Sequence, residues 1–270
     1  MTTFRDLHKP GQPFILANAW DIGSARVLKS MGAQAIATSS AAHAFTLGRP
    51  DGLGVSRDEA LAHAEDLVAA TGLPVQGDFE NGWGDDPDTV AETVRLAGEA
   101  GLAGICIEDI KLPSPDAYGR EFAIERIKAA ASAARALPND FVLTARADGI
   151  MTGAYDIEEA IARLQGFEAA GADCLYAPIP KTTQDVARIC AAVTAPVNVL
   201  VAGPIYTAEN QRSFAAMGAA RLSLGSALAR ATHRVLYDAA AEMFDNGPQD
   251  GSFSRLGLSI SGDTIDALLT

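Results

Sequence analysis

Residues 74–109, PVQGDFENGWGDDPDTVAETVRLAGEAGLAGICIED, decide how the chain is read. They open with a short strand-like run, PVQGDFE (74–80), that passes straight into a turn containing Asn81, Gly82 and Gly84. Glycines there allow a sharp turn and the close approach of a ligand to backbone. DPDTVAETVRLAGEAG then shows the apolar spacing of an amphipathic helix and stops at Gly101, where a helix C-terminus favours glycine. GICIED (104–109) is a second, almost continuously apolar run, the pattern of a parallel strand covered on both faces.

The same unit recurs along the chain. Strands are predicted at FILANA (14–19), AIATSS (35–40), FVLTARAD (141–148), CLYAPIP (174–180), PVNVLVAG (196–203) and RLSLGS (221–226). Helical patterns lie between them, including SRDEALAHAEDLVAA with its Ser-x-x-Glu capping box and DIEEAIARLQGFEAAG. Gly32, Gly171 and Gly218 repeat the stop before the next strand. Eight such units in 270 residues favour a (β/α)8 TIM-type barrel over a doubly wound sheet, and no GxGxxG follows the first strand. No Pro/Gly/Ser linker interrupts the alternation, so residues 1–270 are expected to form a single barrel domain, the barrel spanning about 14–230. Beyond it, SALARATHRVLYDAAAEMFDNG reads as a long helix ended by Asn246-Gly247, followed by a Gly/Ser-rich loop and a short amphipathic helix, GDTIDALL. Such a tail must cover apolar surface on its own barrel or on a neighbour, and oligomerisation is expected.

Composition narrows the function classes. A net charge of −13 disfavours nonspecific binding to nucleic acid or anionic membranes. An anionic small molecule requires a locally positive pocket. Cys106, Cys174 and Cys190 have neither CxxC nor paired spacing, so neither a disulfide framework nor a zinc site is expected. The N-terminus lacks an apolar signal-like region and no run approaches about 18 apolar residues. A cytoplasmic location is the simplest expectation.

Asp78 and Glu80 stand two residues apart at the end of the third strand. Period-two alternation puts both on one face, where two like charges call for a cation, a shared proton or basic partners. Barrel enzymes place their chemistry at the C-terminal strand ends and the loops after them. There the second strand offers Thr38-Ser39-Ser40 and, in its loop, His43 and Asp51; the fourth offers Glu108 and Asp109; the fifth Arg146 and Asp148; the seventh Asn198. Oxygen donors alone suit Mg²⁺, with Mn²⁺ as the alternative ion, better than zinc. Arg146 is a natural fork for a substrate carboxylate. Structural readings stand beside these. A DxE pair also occurs as a turn or cap, Arg146 could be the ion-pair partner of the acids, and RPDGLG around Asp51 is itself a turn signal. Cys106 shares a face with Glu108 but lies deeper and is expected to be packing; His43 is expected at the surface.

In combination, ANAWDIGSARVLKSMG, ATSSAA, LGRPDG, GDFENGWG, AGICIED and TARAD resemble the isocitrate lyase/phosphoenolpyruvate mutase superfamily over about residues 14 to 230. The resemblance implies a Mg²⁺-dependent barrel acting on 2-oxo acids or their enolates, making or breaking C–C or P–C bonds beside a carboxylate. It implies Asp78 as direct metal ligand, with Asp51, Glu80 and Glu108 holding the ion's waters. It implies that Ser39, Ser40 and Ala41 offer hydroxyl and N–H groups to the substrate and that Arg146 pairs with its carboxylate. Trp20 and Asn198 complete the expected substrate-binding set, and Arg146, Ser40 and Glu108 are the catalytic candidates. A C-terminal helix exchanged between subunits of a homodimer, commonly within a homotetramer, is also implied.

The loop after the fourth strand departs from that family. IKLPSPDAYGREFAIE (110–125) holds neither the Lys-Cys-Gly-His type segment of the lyases nor the Lys-Thr-Asn type segment of the mutases. Lys111 and Tyr118 are the groups there that could take the missing role, and Glu80 stands where the family usually has aspartate. The expected activity is therefore a carbon–carbon lyase, of decarboxylase or retro-aldol type, on a small 2-oxo or 2-hydroxy dicarboxylate through an enolate. Phosphonopyruvate-type hydrolysis or phosphomutase chemistry, and a non-catalytic 2-oxo-acid binder, are the alternatives. His43 and Tyr206 join Lys111 and Tyr118 as candidate acid/base groups.

Overall fold

A computed structural model of the chain describes residues 3–52, 54–244 and 251–270. Eight parallel strands, β1 (Phe14–Asn18), β2 (Ile36–Ala37), β3 (Val75–Asp78), β4 (Gly104–Glu108), β5 (Val142–Arg146), β6 (Cys174–Tyr176), β7 (Val197–Leu200) and β8 (Arg221–Ser223), pair in sequence order. The pairing of β8 with β1 closes the barrel. The expected (β/α)8 fold is the one observed.

Helices surround it: α1 (Ile22–Ser30), α2 (Ser40–Thr46), α3 (Arg57–Thr71), α4 (Pro87–Glu99), α5 (Arg120–Ala136), α6 (Gly149–Thr152), α7 (Ile157–Ala169), α8 (Thr183–Ala192), α9 (Gly203–Thr207), α10 (Gln211–Ala216), α11 (Ala227–Phe244) and α12 (Gly262–Leu269). The capping box is present at Ser56 and Glu59. Gly32, Gly101, Gly171 and Gly218 all take the left-handed conformation that ends the preceding turn.

Every strand ends earlier than the sequence pattern suggests, and β2, β3, β5 and β7 also begin one residue later. AIATSS stops at Ala37, because the Ser39 side chain caps α2 and Ser40 begins it. The third strand stops at Asp78, and Glu80 lies beyond it with φ of 47°. Polar residues at these ends leave the ladder to cap helices or turn toward the mouth, and the strand pattern cannot distinguish that from continued pairing.

One apolar layer fills the space between strands and helices, with Phe79, Ile105, Leu143, Leu164 and Phe167 fully buried. The barrel interior is partly polar. Arg221 is 1% exposed and donates to Gln76 at 2.6 Å, Asn198 at 2.8 Å and Thr144 at 3.2 Å. It also meets Nε2 of His8 at 3.1 Å. Burial, then the Arg221 charge, lower the His8 pKa to about 3, so the ring is neutral and Nε2 accepts from the guanidinium. Phe4 and Phe14 pack with His8 edge to face and close the N-terminal end of the barrel.

In the C-terminal part, α12 rests on α1 of the same chain, and Arg26 donates to the Leu269 carbonyl at 3.3 Å. The Asn246-Gly247 stop expected for the long helix lies outside the described residues. No helix among the described residues is long and apolar enough to cross a membrane.

Candidate active site

The C-terminal end of the barrel opens into a cavity of about 610 Å³. Asp51, Asp78, Glu80, Glu108, Arg146 and Asp148 all line it, as do Ser39, Ser40, Ala41 and Asn198. Residues from four strand ends and one loop thus converge as the barrel geometry requires.

Asp78 is the most constrained acid. Its Oδ2 accepts from the Ser40 N–H at 2.9 Å and the Ser40 hydroxyl at 3.0 Å. Its Oδ1 accepts from Nη1 of Arg146 at 2.8 Å and from the Cys106 thiol at 3.2 Å. Ser40, expected at the substrate, is therefore engaged in fixing Asp78 at the start of α2. Ser39 is 2% exposed, and its hydroxyl accepts from Ala42 N–H at 3.3 Å.

Arg146 is the hub. Nε and Nη2 hold the two oxygens of Asp148 at 2.8 and 2.7 Å, a side-on fork, while Nη1 also reaches Glu108 at 2.9 Å. Burial alone would lower its pKa, but Asp148, Glu108 and Asp78 together hold it well above its usual value. The expected fork for a substrate carboxylate thus already serves three acids on this chain, with one edge filled by Asp148. The signal was available, because Arg146 and Asp148 are two residues apart in TARAD.

Of the three arginines that line the cavity, Arg146 is the one paired with its acids among the described residues, and one guanidinium does not neutralise five carboxylates. Burial, then Asp78 and Asp51, raise the Glu80 pKa to about 7. Burial drives Glu108 well above its ordinary value against the pull of Arg146. Asp51 is raised by burial and by Asp78. The set has an unmet demand for positive charge, and its donors are all oxygens, which fits a hard divalent cation. Among the described residues no three His, Cys, Asp or Glu side chains converge closely enough to hold an ion unaided. An ion held by one or two carboxylates and otherwise by water is the usual arrangement for Mg²⁺.

Other expected residues fall elsewhere. Asp109 turns away from the mouth: it is 2% exposed and accepts from Asp148 N–H at 2.8 Å, Tyr155 at 2.7 Å and Arg163 at 3.0 Å. Adjacent residues on a strand face opposite sides, so Glu108 and Asp109 cannot both serve the cavity. Trp20 is not among the cavity-lining residues; its carbonyl meets His63 at 3.0 Å beside α1. His43 is buried, not at the surface, and stacks on His63 with ring centroids 3.8 Å apart. Cys106, expected to be packing, lines the cavity and donates to Asp78; burial, then Asp78, raise its pKa.

None of Lys111, Tyr118, His43 and Tyr206 lines the main cavity. The Tyr118 hydroxyl donates to Asp85 at 2.5 Å and accepts from Asn81 at 3.1 Å; burial and that carboxylate push its pKa up to about 12. The Tyr206 hydroxyl donates to the Pro180 carbonyl at 2.8 Å.

Arg126 was missed from sequence. It is 1% exposed and donates to the carbonyls of Asp85 at 3.0 Å, Gly84 at 2.8 Å, Glu108 at 3.2 Å, and also Asn81. One guanidinium thereby ties the turn after β3 to the end of β4, the two places that carry Glu80 and Glu108. Its position in the apolar stripe Ala123, Ile127, Ala130, Ala134 of α5 was the available clue.

Comparison with known proteins gives concordant matches. A sequence profile described as phosphoenolpyruvate phosphomutase matches residues 4–244. Among solved structures, the chain is similar to a Burkholderia cenocepacia J2315 protein described as a lyase/mutase. The two share 45% identity at a TM-score of 0.91, over 98% of this chain and 93% of that one. It is also similar to the 2-methylisocitrate lyase of Salmonella typhimurium, 31% identical over 255 residues, 85% of this chain and 84% of that one. The oxaloacetate decarboxylase of Rhodopseudomonas palustris is 34% identical over 198 residues, 70% of this chain and 65% of that one.

Proposed function

The chain belongs to the isocitrate lyase/phosphoenolpyruvate mutase superfamily, and from that premise we propose that it is a Mg²⁺-dependent carbon–carbon lyase for a small 2-oxo or 2-hydroxy dicarboxylate. The observation that carries the reading is the cavity itself. It gathers Asp51, Asp78, Glu80 and Glu108 around Arg146, while none of Lys111, Asp116 and Tyr118 in the loop after β4 lines it.

Asp78 would be the direct ligand of the ion, and Asp51, Glu80 and Glu108 would accept from its waters. A bound Mg²⁺ would supply a Lewis acid for the negative charge that develops on the oxo oxygen as the bond beside it breaks. The protein's own part is positioning. Ser40 fixes Asp78 through two hydrogen bonds, so the ligand is set before substrate arrives. Arg146 ties Asp78, Glu108 and Asp148 together across three neighbouring strand ends. Ala41 and Asn198 border the space in which the oxo acid would lie, and Arg230 on α11 is a cation at the rim for a second carboxylate.

Decarboxylation of an oxaloacetate-like acid is the version most consistent with the loop. The departing CO₂ needs no proton, so the step proceeds without the acid/base group that Lys111 and Tyr118 do not provide at the cavity. The enolate left behind still takes up one proton, which solvent water supplies in this reading. The similarity to a 2-methylisocitrate lyase and an oxaloacetate decarboxylase supports carbon–carbon chemistry.

The test is a panel of 2-oxo and 2-hydroxy dicarboxylates with Mg²⁺ and with EDTA, products identified by NMR. Metal-dependent cleavage of one member is expected. Phosphate release from phosphonopyruvate would favour the mutase-side alternative, whose support is the matching phosphomutase profile. Metal-dependent binding without turnover of any member would favour a 2-oxo-acid binder.

A further inference from the structure

Asp109 is a buried acid that the proposed chemistry leaves unused. It follows Glu108 at the end of β4 and does not line the cavity. Its two oxygens have different partners. Oδ1 accepts from the backbone N–H of Asp148 at 2.8 Å and of Gly149 at 3.3 Å. Oδ2 accepts from the Tyr155 hydroxyl at 2.7 Å and from Nη1 of Arg163 at 3.0 Å.

Tyr155 grips the same stretch of backbone independently. Its hydroxyl accepts from Gly149 N–H at 3.0 Å, and its ring lies so close to Gly149 that a Cβ there would overlap it. The Arg163 guanidinium on α7 lies 4.5 Å from the centroid of that ring and donates to Glu159 at 2.8 Å. The backbone at 148–149 is thus held from behind the barrel wall. What it carries is the carboxylate that takes Nε and Nη2 of Arg146 together, leaving Nη1 to Asp78 and Glu108. A guanidinium is planar and rigid, so fixing one edge fixes the direction of the remaining nitrogen.

We propose that Asp109, seated on Tyr155, is a positioning residue for the metal centre: by holding the Asp148 and Gly149 amides it sets the plane of Arg146 and, through Arg146, the Asp78 carboxylate. The metal half of this inference rests on the functional reading above; the coupling of Asp109 to Arg146 stands on the metal-free geometry. Groups that orient a metal ligand from behind change metal affinity about 10–100-fold when removed.

Three variants separate positioning from stability. Arg163→Met removes the charge beside Oδ2 and leaves Oδ1 on its two amides. Asp109→Ala combined with Arg163→Met removes the link without stranding a buried arginine. Tyr155→Phe keeps the ring against Gly149 and removes only the hydroxyl. Each is compared with wild type by melting temperature and by Mn²⁺ titration followed by water-proton relaxation. In metal-free protein, NMR follows solvent exchange of the Arg146 Nε–H, assigned with Arg146→Lys. Arg163→Met should melt lower yet bind Mn²⁺ within about twofold of wild type, since it shares no partner with the ion. The double variant should bind Mn²⁺ at least about tenfold more weakly, with Nε–H exchange at least about tenfold faster as the held backbone opens locally. Tyr155→Phe should weaken binding about two- to fivefold, the scale of one neutral hydrogen bond. Affinity that falls in step with melting temperature in all three variants, or in none, overturns the proposal. Should the double variant not fold, unchanged affinity and exchange in Tyr155→Phe overturn it. If wild type binds no Mn²⁺, the metal reading fails, and the exchange rate still decides the coupling: equal rates in wild type and the double variant overturn it.

Discussion

Arg146 and Asp78 are joined across the end of β4: Nη1 of the arginine lies 2.8 Å from Oδ1 of the aspartate, although their strands do not pair with each other. The same nitrogen reaches Glu108 on the intervening strand. Three consecutive strands of the barrel therefore share one positive charge at their ends. Replacing it leaves buried acids without compensation, so Arg146→Gln is expected to destabilise the metal-free protein by about 3–5 kcal/mol. Chemical denaturation at pH 7.5 measures this, and added Mg²⁺ should recover part of the loss.

Glu80 links the site to pH. Its folded-state pKa, about 7, lies above the ordinary carboxylate value, so between pH 4.5 and 7 the folded protein holds a proton that the unfolded chain has released. Its contribution to stability is present below the unfolded pKa and is lost as pH rises through 7. Metal-free protein should show a fall in melting temperature across that window, and Glu80→Gln should flatten it. A divalent cation favours the charged carboxylate, so the Mg²⁺-induced rise in melting temperature should grow over the same interval.

Arg126 anchors the turn that bears Glu80. Arg126→Ala strands buried carbonyls at Asn81, Gly84, Asp85 and Glu108, each costing about 1–3 kcal/mol if left unpaired. A loss of at least about 3 kcal/mol is expected, and metal affinity should weaken in any fraction that remains folded. Denaturant midpoints and Mn²⁺ titration read the two effects separately.

The C-terminal segment exposes an apolar surface. Val235, Leu236, Tyr237 and Phe244 of α11 are each more than 60% exposed, and Leu258 in the following segment is 82% exposed. Patches of this kind mark contact surfaces. A homodimer or homotetramer is the proposed state, with exchange of α12 between subunits as the proposed arrangement. Light scattering after gel filtration should give a multiple of 28.0 kDa, and Tyr237→Arg with Leu236→Glu should shift it toward monomer. A monomeric wild type at micromolar concentration would contradict the proposal.

The barrel was legible because eight apolar runs alternate with capped helices, and both signals are local. The acids at the mouth were legible because barrel topology sends strand ends to one place. What escaped was long-range pairing. Nothing local says that Ser40 binds Asp78, 38 positions away, or that Arg126 on α5 gathers carbonyls from two loops. Alternation had the information to separate Glu108 from Asp109 and to pair Arg146 with Asp148. Glu80 reaches the cavity beside Asp78 as alternation predicts, although it lies past the end of the strand with a left-handed backbone. Trp20 was placed by its motif, and the structure sends it to the flank of α1.

The most direct test of the metal-centred account is titration of Mn²⁺ into metal-free wild type and Asp78→Ala, followed by water-proton relaxation. One saturable site is expected in the wild type, displaced by Mg²⁺, with affinity at least about tenfold weaker in the variant, the scale of one charge-assisted contact. Equal Mn²⁺ affinity in the two proteins would contradict it.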